Sequence, residues 1–379
     1  MIYLDNAATT FPKPQSVVRE VNAALTRYGA NPGRAGHYMA MKAGKMIYNC
    51  RVKLSQLLNA GNEENVVFTL NCTHSLNIVL KGLLKPGDHV VISDLEHNSI
   101  TRPLKNMERD GITFTQAAVY ENDNDKTVQS FREAINGSTR LIACTHASNV
   151  WGLRLPVERL ASLAHEYGVE ILVDAAQSAG VLPIDFEQSG IDYLCMPGHK
   201  GLYGPTGTGV MIAKNPEKLM PIMQGGTGSS SISNEQPNFM PDKFECGTAN
   251  VAGIAGLLRG VEFVSSKTPE KIFSHEMKLT KKLYNSLASN KRIRLYTQYP
   301  NEKCYAPLLS FNIADKDSET VARILNSDYG IAVRSGLHCA PSAHIKMGTQ
   351  EIGAVRVSPS VFTSEYDIQR FLNAVNKIR

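Results

Sequence analysis

One lysine sits in a tightly constrained stretch, Cys195-Met196-Pro197-Gly198-His199-Lys200-Gly201-Leu202-Tyr203-Gly204-Pro205, and 26 residues before it Asp174 ends the apolar run Ile171-Leu172-Val173. An amine on rigid backbone and an anion at a strand end are the two groups that pyridoxal phosphate asks of a protein. The amine makes a Schiff base with the aldehyde, and the anion faces the pyridinium nitrogen. Each residue also has a plainer reading, Lys200 as a solvated surface lysine and Asp174 as the N-cap of a helix. The glycines and prolines around Lys200 weigh against the first, because so fixed a backbone serves nothing if the side chain is idle. Gln177, three residues past Asp174, reaches the same side.

Four further segments carry chemistry. Phe68-Thr69-Leu70-Asn71-Cys72-Thr73-His74-Ser75 reads as a strand running into a helix start, where free N–H groups and the helix dipole favour a phosphate and Thr73 adds a hydroxyl. Simple capping explains Thr73 equally well. His97, in Glu96-His97-Asn98-Ser99, also follows a strand; its imidazole suits stacking on an aromatic cofactor or a proton shuttle, or else a hydrogen-bonded loop histidine. Cys339 lies in Arg334-Ser335-Gly336-Leu337-His338-Cys339-Ala340-Pro341, a non-periodic loop whose Arg334 and His338 favour an exposed thiol of depressed pKa. Arg356, between Val355 and Val357, needs an anion, either a substrate carboxylate held bidentately or an internal salt-bridge partner.

The elements that must position these groups are legible in outline. Short apolar runs at Val66 to Leu70, Val90 to Ser93, Leu141 to Thr145, Ile171 to Val173, Tyr193 to Met196 and Gly209 to Ala213 alternate with helical periodicity. That pattern predicts an α/β domain with a mostly parallel sheet. Thr73, His97, Asn149, Asp174 and Lys200 all follow such runs, so they converge at the carboxyl ends of the strands. Pro156 opens one helix and Pro14 another, while Gln224 to Pro241 lacks periodicity and reads as a loop. From about residue 255 a long helix precedes strands near Pro307 to Asn312 and Ala354 to Val357, each followed by a capped helix, at Ser318 and at Ser364. These form a smaller C-terminal α/β domain. The divisions expected are 1–15 packing with the small domain, 16–255 as the large domain and 256–379 as the small one carrying the Cys339 loop.

At 379 residues, 42% hydrophobic and 20% charged, the chain has the composition of a two-domain globular protein. A net charge of +5 without a Lys/Arg run argues against nucleic acid as a partner, and no membrane association is expected. Seven cysteines without a CxxC pair argue against a disulfide framework or a metal site. Met1 to Asn6 run straight into a strand, which makes a cytoplasmic location the expectation.

Taken together, these residues resemble the cysteine desulfurases of the class V aminotransferase fold, closest to the Suf-type group that includes selenocysteine lyases. The resemblance spans nearly the whole chain, through Leu4-Asp5-Asn6-Ala7-Ala8-Thr9-Thr10, Glu96-His97-Asn98, Ser148-Asn149, Asp174-Ala175-Ala176-Gln177, Gly198-His199-Lys200, Leu202 to Gly207, Gly247-Thr248 and Arg334-x-Gly336-x-His338-Cys339-Ala340. It implies the fold type I of pyridoxal-phosphate enzymes, with Lys200 as the Schiff-base lysine, Asp174 on the pyridine nitrogen, His97 stacked on the ring and Gln177 at the phenolic oxygen. It further implies that Thr73, the His74 backbone N–H and His199 hold the phosphate, with Thr248 contributed by the second subunit of a homodimer. Arg356 with Asn149, and Arg334 nearby, would hold the substrate carboxylate. Lys200 would remove the Cα proton of L-cysteine or L-selenocysteine, and Cys339 would take sulfur as a persulfide for an acceptor protein, in iron–sulfur assembly for example. Selenocysteine lyase, cysteine sulfinate desulfinase and an inactive scaffold of the same fold are the alternatives. The chain departs from the group's pattern at Pro197, where a serine usually donates to the phosphate, at His74 in place of an acidic residue and at Gly33 in place of a histidine.

Overall fold

The alternation of apolar runs and amphipathic stretches folds as alternating strands and helices in the computed structural model, which describes residues 1–32 and 36–378. Gly33 lies outside the described residues. The chain runs β1 (Ile2–Tyr3), α1 (Gln15–Ala23), α2 (Tyr38–Leu58), β2 (Val66–Thr69), α3 (Cys72–Leu83), β3 (His89–Ser93), α4 (Asn98–Met107), β4 (Thr113–Ala117) and α5 (Asn124–Ala134). It continues through β5 (Thr139–Thr145), α6 (Val157–Glu166), β6 (Glu170–Asp174), α7 (Phe186–Ser189), β7 (Tyr193–Pro197), β8 (Gly209–Ala213), α8 (Val251–Lys267) and α9 (Pro269–Ala288). The last part is β9 (Ile293–Leu295), β10 (Leu309–Ile313), α10 (Ser318–Tyr329), β11 (Ile331–Ala332), α11 (Pro341–Lys346), β12 (Val355–Val357) and α12 (Glu365–Lys377).

Among the described residues the largest sheet has seven strands in the order β2-β8-β7-β6-β5-β3-β4. Pairing is parallel from β7 through β6, β5 and β3 to β4, and antiparallel where β8 inserts between β7 and β2. Every residue of β2, β3, β6, β7 and β8 is buried, as expected of strands covered by helices on both faces. β4 is an edge strand with an exposed, polar sequence, so it has no apolar run to betray it. Because β2, β3, β5, β6 and β7 point the same way, the turns after them meet along one edge of the sheet.

A second sheet, β12-β10-β9, is antiparallel and backs onto α9, α10 and α12 through Leu283, Phe311, Leu325 and Phe371. Its closing helix α12 begins with a reciprocal capping box between Ser364 and Asp367. β1 pairs in parallel with β11, and Ile2 and Leu4 enter the same core. The division expected between residues 255 and 256 falls inside α8. That helix packs along α1 and α2, and the chain turns away from them only at Thr268, the N-cap of α9. Gly260 lets α8 approach other backbone closely: a Cβ there would lie 2.2 Å from the carbonyl oxygen of Leu202, in the Lys200 loop.

Candidate active site

A cavity of about 180 Å³ opens where the strands of the large sheet end, and Thr73, His97, Asn149, Asp174, Gln177, His199 and Lys200 all line it. Asp174 is the last residue of β6 and is buried; its Oδ1 accepts the Ala176 N–H at 2.9 Å and the Cys72 thiol at 3.5 Å. The residues that follow form a turn rather than a helix, so the capping role weighed for Asp174 is not the one it has.

Lys200 faces Asp174 across the cavity. Burial pushes its ammonium below the ordinary lysine pKa, and the Asp174 charge opposes that fall. Its backbone is held from several sides: Tyr203 N–H and Thr10 Oγ1 donate to the Lys200 carbonyl, and Gly204 N–H to that of Gly198. Gly180 backs the loop with φ +82°, and a Cβ there would sit 2.2 Å from the Gly201 carbonyl oxygen. Gly180→Ala should therefore cost about 2–4 kcal/mol, from left-handed strain plus a backbone clash. The check is thermal unfolding together with the affinity for cofactor, and both should fall.

His97 caps α4. Its Nδ1 accepts the Ser99 N–H at 3.0 Å, which leaves the ring proton on Nε2. Burial is the main reason its pKa is lowered, with Lys200, Arg334 and Arg102 adding to the effect and Asp174 opposing it. The preceding Glu96, not singled out from the sequence, is fully buried; its Oε1 accepts the Ser93 hydroxyl and the Thr145 N–H, which ties the His97 turn to the end of β5. Burial raises its carboxyl pKa to about 8. An acidic residue between two site-bearing turns was the available signal.

The Cys339 loop reaches this rim through its backbone. The Cys339 carbonyl accepts the Asn98 N–H at 2.7 Å, and the His338 carbonyl accepts Asn149 Nδ2 at 2.7 Å. His338 and Cys339 both hold φ near the left-handed region, +50° and +57°, strained geometry for non-glycine residues. Among the described residues all seven cysteines are free, and Cys339 alone is exposed. The positive charge expected from His338 is absent. Burial, followed by the Arg356 charge, pushes its pKa down to about 2, and its Nε2 bonds the Ala354 carbonyl.

Arg356 is 1% exposed; its Nη1 donates to the Asn149 carbonyl and its Nη2 to Asp5 Oδ1, both at 2.8 Å, while Nε is buried without a partner. The internal salt bridge weighed as an alternative thus exists, with Asp5 as the partner. Arg334 runs antiparallel to Arg356 by backbone pairing. Gln177 gives one amide N–H to the Ala7 carbonyl at 3.0 Å.

One expected phosphate donor is already engaged, and Thr248, expected to serve a second subunit's cavity, lies outside this chain's own. The His74 backbone N–H is engaged by Asn71, which caps α3 and whose Oδ1 accepts it at 2.9 Å. The His74 ring and Thr248 line a separate groove together with Arg51 and Phe68. In the cavity itself, the α3 start at Thr73 and a buried, unpartnered His199 Nδ1 remain available to an anion. With Asp174 and Lys200 at hand, the donor set fits pyridoxal phosphate.

Comparison with known proteins agrees. The model of the class V aminotransferase family matches residues 2–371. A protein of Methanothermobacter thermautotrophicus described as a probable cysteine desulfurase is 35% identical over 97% of this chain and 92% of its own. A cysteine desulfurase of Haloferax volcanii is 30% identical over the whole of this chain and 89% of its own. The apo structure of the cysteine desulfurase from Thermococcus onnurineus superposes with a TM-score of 0.91 at 31% identity, covering 99% of this chain and 93% of that one. The Escherichia coli cysteine desulfurase CsdA gives a TM-score of 0.88 at 30% identity with the same coverage. With a cavity built for an aldehyde cofactor and a match across nearly its whole length, the chain belongs to the class V aminotransferase family.

Proposed function

We propose that this chain is a pyridoxal-phosphate-dependent cysteine desulfurase that moves sulfur from L-cysteine onto Cys339 and releases L-alanine. The observation that carries the reading is the exposed Cys339 thiol, on a strained loop bonded to the Asn98 and Asn149 turns at the mouth of the Lys200 cavity. Lys200 would hold the cofactor, Asp174 would pair with its ring nitrogen, His97 would lie against the ring, and Thr73 and His199 would take the phosphate. Bound there, the cofactor supplies an electron sink for the substrate Cα.

The residues of the chain do the rest. Arg356 and Asn149 orient the substrate carboxylate, for which Asp5 must yield part of the guanidinium. Lys200 accepts the Cα proton, as a buried amine of lowered pKa is suited to do. The Cys339 thiolate attacks the substrate sulfur, an S–S bond forms, the Cβ–S bond breaks, and its electrons leave with the carbon skeleton. Protonation completes alanine, so cysteine and one thiol give alanine and one persulfide. The terminal sulfur then passes to a thiol acceptor. A homodimer, in which Thr248 serves the neighbouring subunit's cavity, and a cytoplasmic, reducing setting for the free thiol belong to the same proposal.

The test measures alanine and sulfide together, from L-cysteine, L-selenocysteine and L-cysteine sulfinate, with an excess thiol reductant. One alanine per sulfide from L-cysteine is expected. Turnover confined to L-selenocysteine or to the sulfinate would replace the proposed activity with that of a relative.

A further inference from the structure

Lys13 is a half-buried lysine without an anion. Its segment crosses the Lys200 loop, and its Nζ donates to the His199 carbonyl at 2.6 Å and the Thr10 hydroxyl at 2.7 Å. Among the described residues no carboxylate pairs with it, and burial alone pushes its pKa down to about 8. Holding a cation in such a place costs free energy that two neutral hydrogen-bond acceptors offset only in part.

Its neighbours share the problem. His199 is pushed down to about 4 by burial, then by the charges of Lys200 and Lys13, with no carboxylate opposing them. Asp174 counters Lys200 but neither His199 nor Lys13. His199 therefore stands between two cations, Lys200 in the cavity and Lys13 on its own carbonyl, and its Nδ1 is buried without a partner. At the His199 end of the cavity the neutral donors left for an anion are those of the α3 start at Thr73. Pro197 lines it with neither N–H nor hydroxyl, and the His74 N–H is already spent on Asn71. What the arrangement lacks is a negative charge, and the cofactor phosphate is the group that brings one.

We propose that Lys13 is the counter-cation of the cofactor phosphate, a charge-balancing residue that acts across His199 and is not part of the cavity wall. The inference rests on the cofactor reading of this cavity. It predicts an effect confined to ligands that carry the phosphate, since pyridoxal differs from pyridoxal phosphate only there.

Equilibrium binding of both compounds to cofactor-stripped protein, followed by the absorbance of the Lys200 adduct, tests it. Lys13→Met and Lys13→Gln should each weaken pyridoxal phosphate on the order of tenfold and leave pyridoxal unchanged, and Lys13→Arg should bind both as the wild type does. Glutamine keeps a hydrogen-bond donor without the charge, so wild-type affinity in Lys13→Gln would overturn the charge argument. Equal weakening of both compounds would overturn it too, by making Lys13 a prop for the His199 loop. If neither compound forms an adduct with wild-type Lys200, the cofactor reading itself fails, an outcome distinct from either of these.

Discussion

Cys339→Ala is expected to lower sulfide release from L-cysteine about a thousandfold or more, while cofactor content, cofactor absorbance and thermal stability stay at wild-type levels. The separation follows from how the loop is held. Its anchors are carbonyls, those of Cys339 on Asn98 and of His338 on Asn149, together with the buried His338 ring on Ala354. The Cys339 side chain projects from this frame exposed and takes no part in it. Removing Sγ deletes the nucleophile and leaves the frame standing; alanine tolerates φ +57° no worse than cysteine does. A short, anchored loop also cannot carry its sulfur far, so the persulfide should persist until a thiol acceptor comes to the rim. Mass spectrometry of protein mixed with L-cysteine alone should find one added sulfur on the peptide containing Cys339 and none in the variant. Wild-type sulfide release by Cys339→Ala would remove the desulfurase mechanism and favour a lyase that expels the β-substituent without protein sulfur.

The site was legible where its geometry is local. Asp174 and Lys200 stand at the ends of fully buried strands, and a buried strand is a continuous apolar run that a reader can see end. His97 was visible for the same reason, behind β3. β4 was not, because an edge strand exposed to solvent has no such run. What distant segments decide could not be read. The partner of Arg356 is Asp5, more than three hundred residues away, and the pairing of β1 with β11 and of Asp5 with Ser358 brings the chain start to it. Sequence proximity misled at His338: adjacency to Cys339 promised a charge, but the ring turns into the interior and stays neutral. It misled at His74 as well, where the N–H of a helix start looked free until Asn71 was found capping it. Lys13, in Phe11-Pro12-Lys13-Pro14, looked like the lead-in to α1, and its reach to His199 is a tertiary fact.

Lys200→Ala should have the largest effect of any single change. Covalent attachment of the cofactor disappears, with its characteristic absorbance, and turnover falls by about four orders of magnitude or more, because one side chain performs two tasks. As an amine it holds the cofactor, and as a free base it takes the Cα proton. Burial serves both. It lowers the Lys200 pKa below that of an exposed lysine, so the neutral, reactive amine is populated at lower pH, while Asp174 keeps the fall from going further. Activity should therefore gain its basic form as pH rises, on a limb lying below the ordinary lysine value of about 10.4. Asp174→Asn removes the charge that opposes the fall and should move that limb lower still. The two tasks separate experimentally. Lys200→Ala incubated with a small primary amine should recover proton transfer, measured as exchange of the substrate Cα hydrogen with solvent deuterium, without recovering the protein-bound absorbance. Lys200→Arg, always protonated, should recover neither. If Lys200→Ala kept a tenth of wild-type turnover, the base would have to be another group. His97, whose neutral ring carries its proton on Nε2 and whose Nδ1 is held by Ser99, is badly placed to be that base.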